Sequence, residues 1–342
     1  MKSTHILYLD GWRGLAIVAV LVGHFAHVPG INLGPFGVEL FFVLSGRLMA
    51  EILILKRVKL DTFFFRRFSR IFPALLFLAS TLFMVSSVAI LSGYNYDAFV
   101  EPIDYVASII LIYNYAYVAG YARSALDHIW SLSVEEHCYI FLAVTTWMLR
   151  RRQNLVLVTV GLVGMTAMIS GIIQQLAFNI GEHQMYWRTD VRSASIFLSF
   201  ALFLLLANRS SQSSDFAKLI SPAAFVMALA CNLDIFPIWV KYSIGTLLLA
   251  VSLNSLAATF ETIKGWLSSK ILTTFGMLSY SIYLWQQPFY SVESKIGGVA
   301  GMTGAIVCGV LSYLFIEGPS RRYLNQWWDR RMTRSEMRTA PV

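Results

Sequence analysis

The sequence predicts an all-α protein that crosses a membrane about ten times, and three observations predict it. Hydrophobic residues make up 57% of the 342-residue chain and charged residues 13%, with a mean hydropathy of +0.62. A soluble domain carries about 25% charged residues, so a globular core alone does not account for the deficit. Uncharged stretches that approach or exceed the roughly 20 residues a helix needs to cross a bilayer recur along the chain. They lie at 72–91 (FPALLFLASTLFMVSSVAIL), 153–181, 242–260, 271–292 and 296–316. The basic residues, finally, are segregated. "KRVKLDTFFFRRFSR" (56–70) has six bases against one acid, "RRR" stands at 150–152, and six arginines follow from Arg321 against Asp329 and Glu336. "LSGYNYDAFVEPID" (91–104) has acids and no base. Basic loops mark the cytoplasmic side, so the net charge of +8 encodes orientation and does not imply nucleic acid.

Taken in order, the candidate spans are 12–29, 36–55, 72–91, 103–121, 129–149, 154–177, 191–207, 219–235, 238–258, 271–290 and 297–316. The N-terminal run reads as a retained helix, because Asp10 and Arg13 interrupt it and no small-residue cleavage site follows. If all eleven crossed, the basic loop 56–70 and the basic tail would fall on opposite sides. The weakest is 103–122, with Asp104, Asn114 and five tyrosines; it is expected to lie at or dip into the outer interface. About ten spans remain, with both termini cytoplasmic. Irregular backbone at depth is tolerated only where protein or a water-filled cavity covers it, so a cavity is expected nearby. Cys138, Cys231 and Cys308 lie in or beside apolar runs without ligand spacing and read as small buried hydrophobes, with no metal expected. Without linker or repeat, 1–342 reads as one domain ending in a basic cytoplasmic tail, 320–342. Its "QWWDRRMTR" (326–334) is expected to lie on anionic lipid.

Against this apolar background the ionisable residues stand out, since each costs about 2.5–3.5 kcal/mol at depth and usually faces a cavity or a partner. In "LDGWRGLAIVAVLVGHF" (9–25), Arg13 and His24 lie about three turns apart on nearly one face, separated by about 16 Å. Asp10, one turn before Arg13, can pair with it. Glu39 opens the next span at the depth of His24. A further cluster, His128, Glu135, Glu136 and His137, begins the span 129–149. Glu135 and Glu136 point about 100° apart, so one is expected to face inward. Each of these residues, taken alone, could also be a satisfied interfacial group.

The order of motifs is more specific than any one of them. Arg13 and His24 enclose ten residues, and "FGVELFFVLSGRLM" (36–49), "RRFSRIFPAL" (66–75), "HIWSLSVEEHCYIF" (128–141), "SYSIYLWQQPF" (279–289) and "IEGPSRR" (316–322) follow. Together they resemble the membrane acyltransferase-3 family over nearly the whole chain. There are departures: Glu39 stands for the usual Asp, Arg47 for an aromatic, His137 for Gln, Gly318 for a basic residue, and Gln286 where the family often has His.

The resemblance implies about ten spans and transfer of an acyl group, commonly acetyl from acetyl-CoA, to a hydroxyl of a cell-surface glycan at the bacterial cytoplasmic (inner) membrane. O-antigen or exopolysaccharide is the expected acceptor, free or lipid-linked. The chain is expected to be the stand-alone type, without an appended hydrolase-like domain. On this reading His24 is the general base, with Glu39 fixing its tautomer and Glu136 the second choice for that role. Direct transfer and an acetyl-histidine relay both stay open. Arg66, Arg67 and Arg70 would hold the donor's phosphates, and Arg13 would line the route. His128, Trp130, Trp285 and Gln286 are expected on the substrate side, Gln286 without a catalytic role. "MYWRTDVR" (185–192) suits either sugar stacking or an interfacial aromatic belt. The rival functions are a transporter of a lipid-linked sugar or small anion, and a related acyltransferase acting on a small molecule such as a macrolide.

Overall fold

A computed structural model describes residues 6–94, 96–207 and 215–339, with side chains as far as 333. Among the described residues the chain is helical, and the only extended pairing is a single bridge between Ile31 and Leu233. The first half contains α1 (Leu7–Phe25), α2 (Leu33–Ala50), α3 (Leu60–Leu91), the short α4 (Pro102–Ile109) and α5 (Tyr113–Val118), then α6 (Ile129–Met148) and α7 (Gln153–Phe178). A short α8 (Glu182–Tyr186) leads to α9 (Thr189–Ala207) and α10 (Asp215–Cys231). One continuous run joins α11 (Ile238–Val240) to α12 (Thr246–Ser255), and α13 (Glu261–Leu267) precedes α14 (Lys270–Ser291). The chain ends with α15 (Glu293–Ile296), α16 (Gly298–Ser312) and α17 (Gly318–Thr339), the last two joined through a π-helical turn at Tyr313–Glu317.

Among the described residues five helical runs are long and apolar enough to cross a membrane: α3, α7, α9, Ile238–Ala258 and Gly298–Thr333. The other long helices, α1, α2, α6 and α14, have 19, 18, 20 and 22 residues, about 27–33 Å at 1.5 Å per residue. They carry Asp10, Arg13, His24, Glu39, Glu135 and Glu136. Trp12 of α1 is buried and donates its indole N–H to the Leu40 carbonyl of α2, 3.1 Å away. α1 and α14 meet backbone to backbone: a Cβ on Gly14 would stand 2.0 Å from the Leu272 oxygen, and one on Gly276 2.0 Å from the Asp10 oxygen.

The region 103–122 forms α4 and α5, about 12 Å and 9 Å long, and neither can cross. Between them Leu111 adopts a left-handed φ of 58°. The Tyr113 hydroxyl ties this segment to the start of α6, donating to Asp127 at 2.7 Å and reaching Asp104 at 3.2 Å. The tail, expected on anionic lipid at 326–334, packs one face of α17 on the base of α3. Trp328 stacks on Phe65 (4.3 Å), Ser69 donates to Asn325 Oδ1 (2.8 Å), and Arg66 faces Asp329 (3.5 Å). The 32 residues of α3 span about 48 Å, more than a roughly 30 Å hydrocarbon core. Its first turns therefore extend beyond the apolar layer and present arginines there.

Candidate active site

Two chambers lie along the axis between the polar helices. The first, with about 830 Å³ of open space, is lined by Arg13 of α1, Ser45 of α2, Arg67 and Arg70 of α3, and Glu135 and Tyr139 of α6. Arg13 faces Asp10 at 3.5 Å, as the spacing suggested. Arg67 donates through Nε (3.1 Å) and Nη2 (2.8 Å) to one oxygen of Glu136, with its guanidinium 3.7 Å from the Tyr139 ring centroid. The same guanidinium approaches Glu135 at 3.6 Å, and Glu135 also accepts from Ser45 (2.6 Å) and from the Tyr139 hydroxyl. Both carboxylates thus converge on Arg67, whereas only one was expected to face inward. A buried guanidinium between two carboxylates over an aromatic face is held in one orientation. Arg66 is on the outer side of α3, with its side chain 56% exposed, and does not line the chamber.

The second chamber, about 1,710 Å³, opens at the other end and is lined by His24, Gly34, His128, Trp130, Trp187, Arg192, Tyr242, Gln286 and Tyr290 among others. Tyr117, Arg123 and Asp127 also line it, so the cavity expected beside 103–122 is present. His24 Nδ1 lies 2.5 Å from Gln286 Oε1, and its ring stacks on Tyr290 at 4.3 Å. An amide oxygen only accepts, so Nδ1 carries the hydrogen and Nε2 keeps its lone pair. A Cβ on Gly34 would stand 3.1 Å from that Nε2; glycine leaves the nitrogen open. His128 is buried, its ring 5.5 Å from that of Tyr283. Among the described residues neither of its nitrogens has a partner in hydrogen-bond geometry, and the Leu284 backbone contributes only a looser interaction. Trp130 stacks on Trp187 with centroids 5.2 Å apart and planes within 7°. This gives the aromatic segment 185–192 a place in the chamber wall.

The structure does not bring together every expected residue. The Glu39 carboxylate, 2% exposed, does not orient His24. It is held by Arg192 (2.5 Å) and accepts from Ser195 (2.6 Å) and Thr246 (2.5 Å). A carboxylate and a guanidinium buried together neutralise each other, and α2 and α9 are joined there. Glu136 is likewise occupied in the first chamber. The side chain that meets His24 Nδ1 is that of Gln286, which also lines the second chamber, the side on which it was expected. Trp285 points the other way, toward Phe77 of α3 (6.3 Å), and lines neither chamber. Sequence reasoning passed over Arg192, although an arginine one turn into the apolar run of α9 is as costly a signal as Arg13.

The chambers share two residues, Val38 and Tyr283. The Tyr283 hydroxyl is fixed by Ser131 (2.7 Å) and the His128 carbonyl (3.2 Å). A basic compartment and a histidine-bearing compartment thus share a border at Val38 and Tyr283, with Arg13 and His24 about three helical turns of α1 apart.

Residues 6–317 match the family model described as an acyltransferase domain. The O-acetyltransferase OatA of Staphylococcus aureus is 29% identical, with 92% of this chain aligned to 57% of the relative. The peptidoglycan O-acetyltransferase OatA of Listeria monocytogenes is 27% identical, covering 92% of this chain and 55% of its own. A putative O-acetyltransferase of S. aureus is 26% identical over 94% of this chain and 58% of the relative. The chain therefore spans little more than half the length of these curated relatives. No solved structure matches it. With the family model running from the first described residue through the chamber-lining helices, the chain belongs to the membrane acyltransferase-3 family.

Proposed function

We propose that the protein moves an acetyl group from acetyl-CoA to a hydroxyl of a cell-surface glycan across the wall between its two chambers. The observation that carries this reading is that wall: Val38 and Tyr283 border both compartments. The donor's phosphates are taken up by the basic chamber. Arg70 and Arg13 are the cations turned to it, while Arg67 is balanced by Glu135 and Glu136. The pantetheine arm runs toward Tyr283 and places the thioester near His24. His24 Nε2 takes the acceptor's O–H proton as that oxygen attacks the thioester carbonyl. The C–S bond then breaks, and the thiol of CoA leaves with a proton. Gln286 holds the tautomer that makes Nε2 the base, and Trp130 with Trp187 offers a flat face for a sugar.

The arginine end is the cytoplasmic one in this reading, since acyl-CoA is a cytoplasmic metabolite and basic segments favour that side. Both termini then lie inside, and α1, α2, α6, α10 and α14 join the five most apolar runs as ten spans of the cytoplasmic (inner) membrane. O-acetyltransferases among the relatives support acetyl as the group and a surface glycan as acceptor. One relative is named for peptidoglycan, so peptidoglycan joins O-antigen and exopolysaccharide as the glycan to examine. The test is NMR of the host's surface glycans with and without the gene, with labelled acetyl-CoA supplied to membranes. One O-acetyl signal that requires both gene and donor is expected. His24→Ala should lower its formation by about 10²–10⁴-fold while the protein stays in the membrane. Undiminished acetylation by that variant overturns the role of His24, and glycan movement without acetyl transfer indicates a transporter.

A further inference from the structure

A second basic site lies on the arginine-rich face, apart from the donor chamber. The π-helical turn Glu51–Leu55 at the end of α2 separates them: Ile52 lines the donor chamber, whereas Leu53 and Ile54 line a slot of about 1,020 Å³ behind it. One side of the slot is apolar, with Val58, Leu60, Trp147 and Leu149 beside those two residues. The other carries Arg57, Arg150 and Arg151. It continues into a cleft of about 1,340 Å³ that adds Arg152, Asn154 and Leu155. Among the described residues no aspartate or glutamate lines either space. Among the described residues none of these four arginines forms an ion pair, unlike Arg13, Arg66, Arg67, Arg188 and Arg192. Arg57 reaches the slot from a left-handed backbone, φ 47°, a conformation that residues with a Cβ disfavour.

Four unpaired guanidinium groups around a cleft call for an anion, and the apolar wall decides which kind. Trp147, Met148, Leu155 and Val158 are 56%, 69%, 40% and 52% exposed. They extend the slot's apolar side along α6 and α7 toward the hydrocarbon layer. A free phosphate or a nucleotide leaves that surface bare, whereas a molecule with a phosphate head and alkyl tails covers both halves.

We propose that the slot binds an anionic phospholipid of the adjacent leaflet, with its phosphate among Arg57, Arg150 and Arg151 and an acyl chain along Leu53, Trp147 and Leu149. Such a lipid clamps the α2–α3 connection to the α6–α7 connection, two loops that flank the donor chamber.

The test uses the full chain in neutral detergent, titrated with phosphatidylglycerol, phosphatidylcholine or inorganic phosphate and read by native mass spectrometry. Retention of phosphatidylglycerol at least tenfold tighter than phosphatidylcholine is expected, with no displacement by inorganic phosphate. The paired change Arg150→Gln/Arg151→Gln should weaken phosphatidylglycerol by about 30-fold, from about 1 kcal/mol per basic residue near a lipid surface. These side chains are exposed, so folding is not at stake. Arg322→Gln/Arg330→Gln on α17, equal in charge change, should leave retention unaltered. Equal retention of the two lipids, displacement by phosphate, or the same loss in both paired variants overturns the proposal.

Discussion

The imidazole of His24 is oriented by an amide, Gln286, where a carboxylate was expected, and the two choices differ chemically. A glutamine fixes the tautomer without adding a negative charge next to the imidazole. Replacing it by leucine removes a hydrogen bond that, when the ring is charged, is worth about 1.5–3 kcal/mol. Gln286→Leu should therefore lower the rate of acetyl transfer by about 10–100-fold with little change in donor affinity. Gln286→Glu keeps an acceptor opposite Nδ1 and should retain far more activity. Equal rates for the wild type and the leucine variant would remove Gln286 from the mechanism. Gly34 is the other exact-fit position at this ring: with Cβ 3.1 Å from Nε2, valine should block acceptor access and leave the donor chamber intact.

At the scale of elements, Glu39 and Arg192 join α2 to α9. Their side chains are 3% and 2% exposed. Removing one partner strands a buried charge and costs about 3–5 kcal/mol. Glu39→Leu should lower the unfolding temperature sharply in detergent, and Glu39→Leu/Arg192→Met should recover much of the loss. Failure of the pair to recover would show that the carboxylate does more than brace two helices. The segment 101–128, outside the spans, behaves differently with pH. Burial pushes the Asp104 and Asp127 carboxyls up from their ordinary values. A raised folded-state value means that the folded segment binds the proton more tightly than the unfolded one. Its stability is then greatest below the ordinary carboxylate value near pH 4 and declines as pH rises through the folded one. Amide hydrogen exchange over 101–128 should therefore quicken across that window, after correction for intrinsic rates, and Asp127→Asn should flatten the change. The contact of α1 with α14 is steric. Gly276→Val puts a side chain where 2.0 Å separates Cβ from backbone, and should part the helices that bring His24 to Gln286.

For the molecule as a whole, the proposed transfer depends on the wall at Val38 and Tyr283 that the two chambers share. Val38→Phe narrows it from one side. Acetyl transfer should fall steeply while acetyl-CoA binding, measured separately by calorimetry, stays near the wild-type value. Loss of both together would place the donor elsewhere.

The all-helical membrane character and the motifs of the site were legible in the sequence because bilayer length and charge cost act on local composition. Thus the run 72–91 reads directly, and Arg13 and His24 share a face by spacing alone. The non-crossing of 103–122 was legible for the same reason: its tyrosines, Asp104 and Asn114 are too polar for lipid. The partners of each charge were decided only by the tertiary structure. Glu39 meets Arg192 across 153 positions of sequence, and His24 meets Gln286 across 262. Helical periodicity says which face a residue occupies but not which helix lies against that face. The close approach of glycine-bearing backbones, α1 upon α14, settled that choice, and with it which polar group the His24 ring touches.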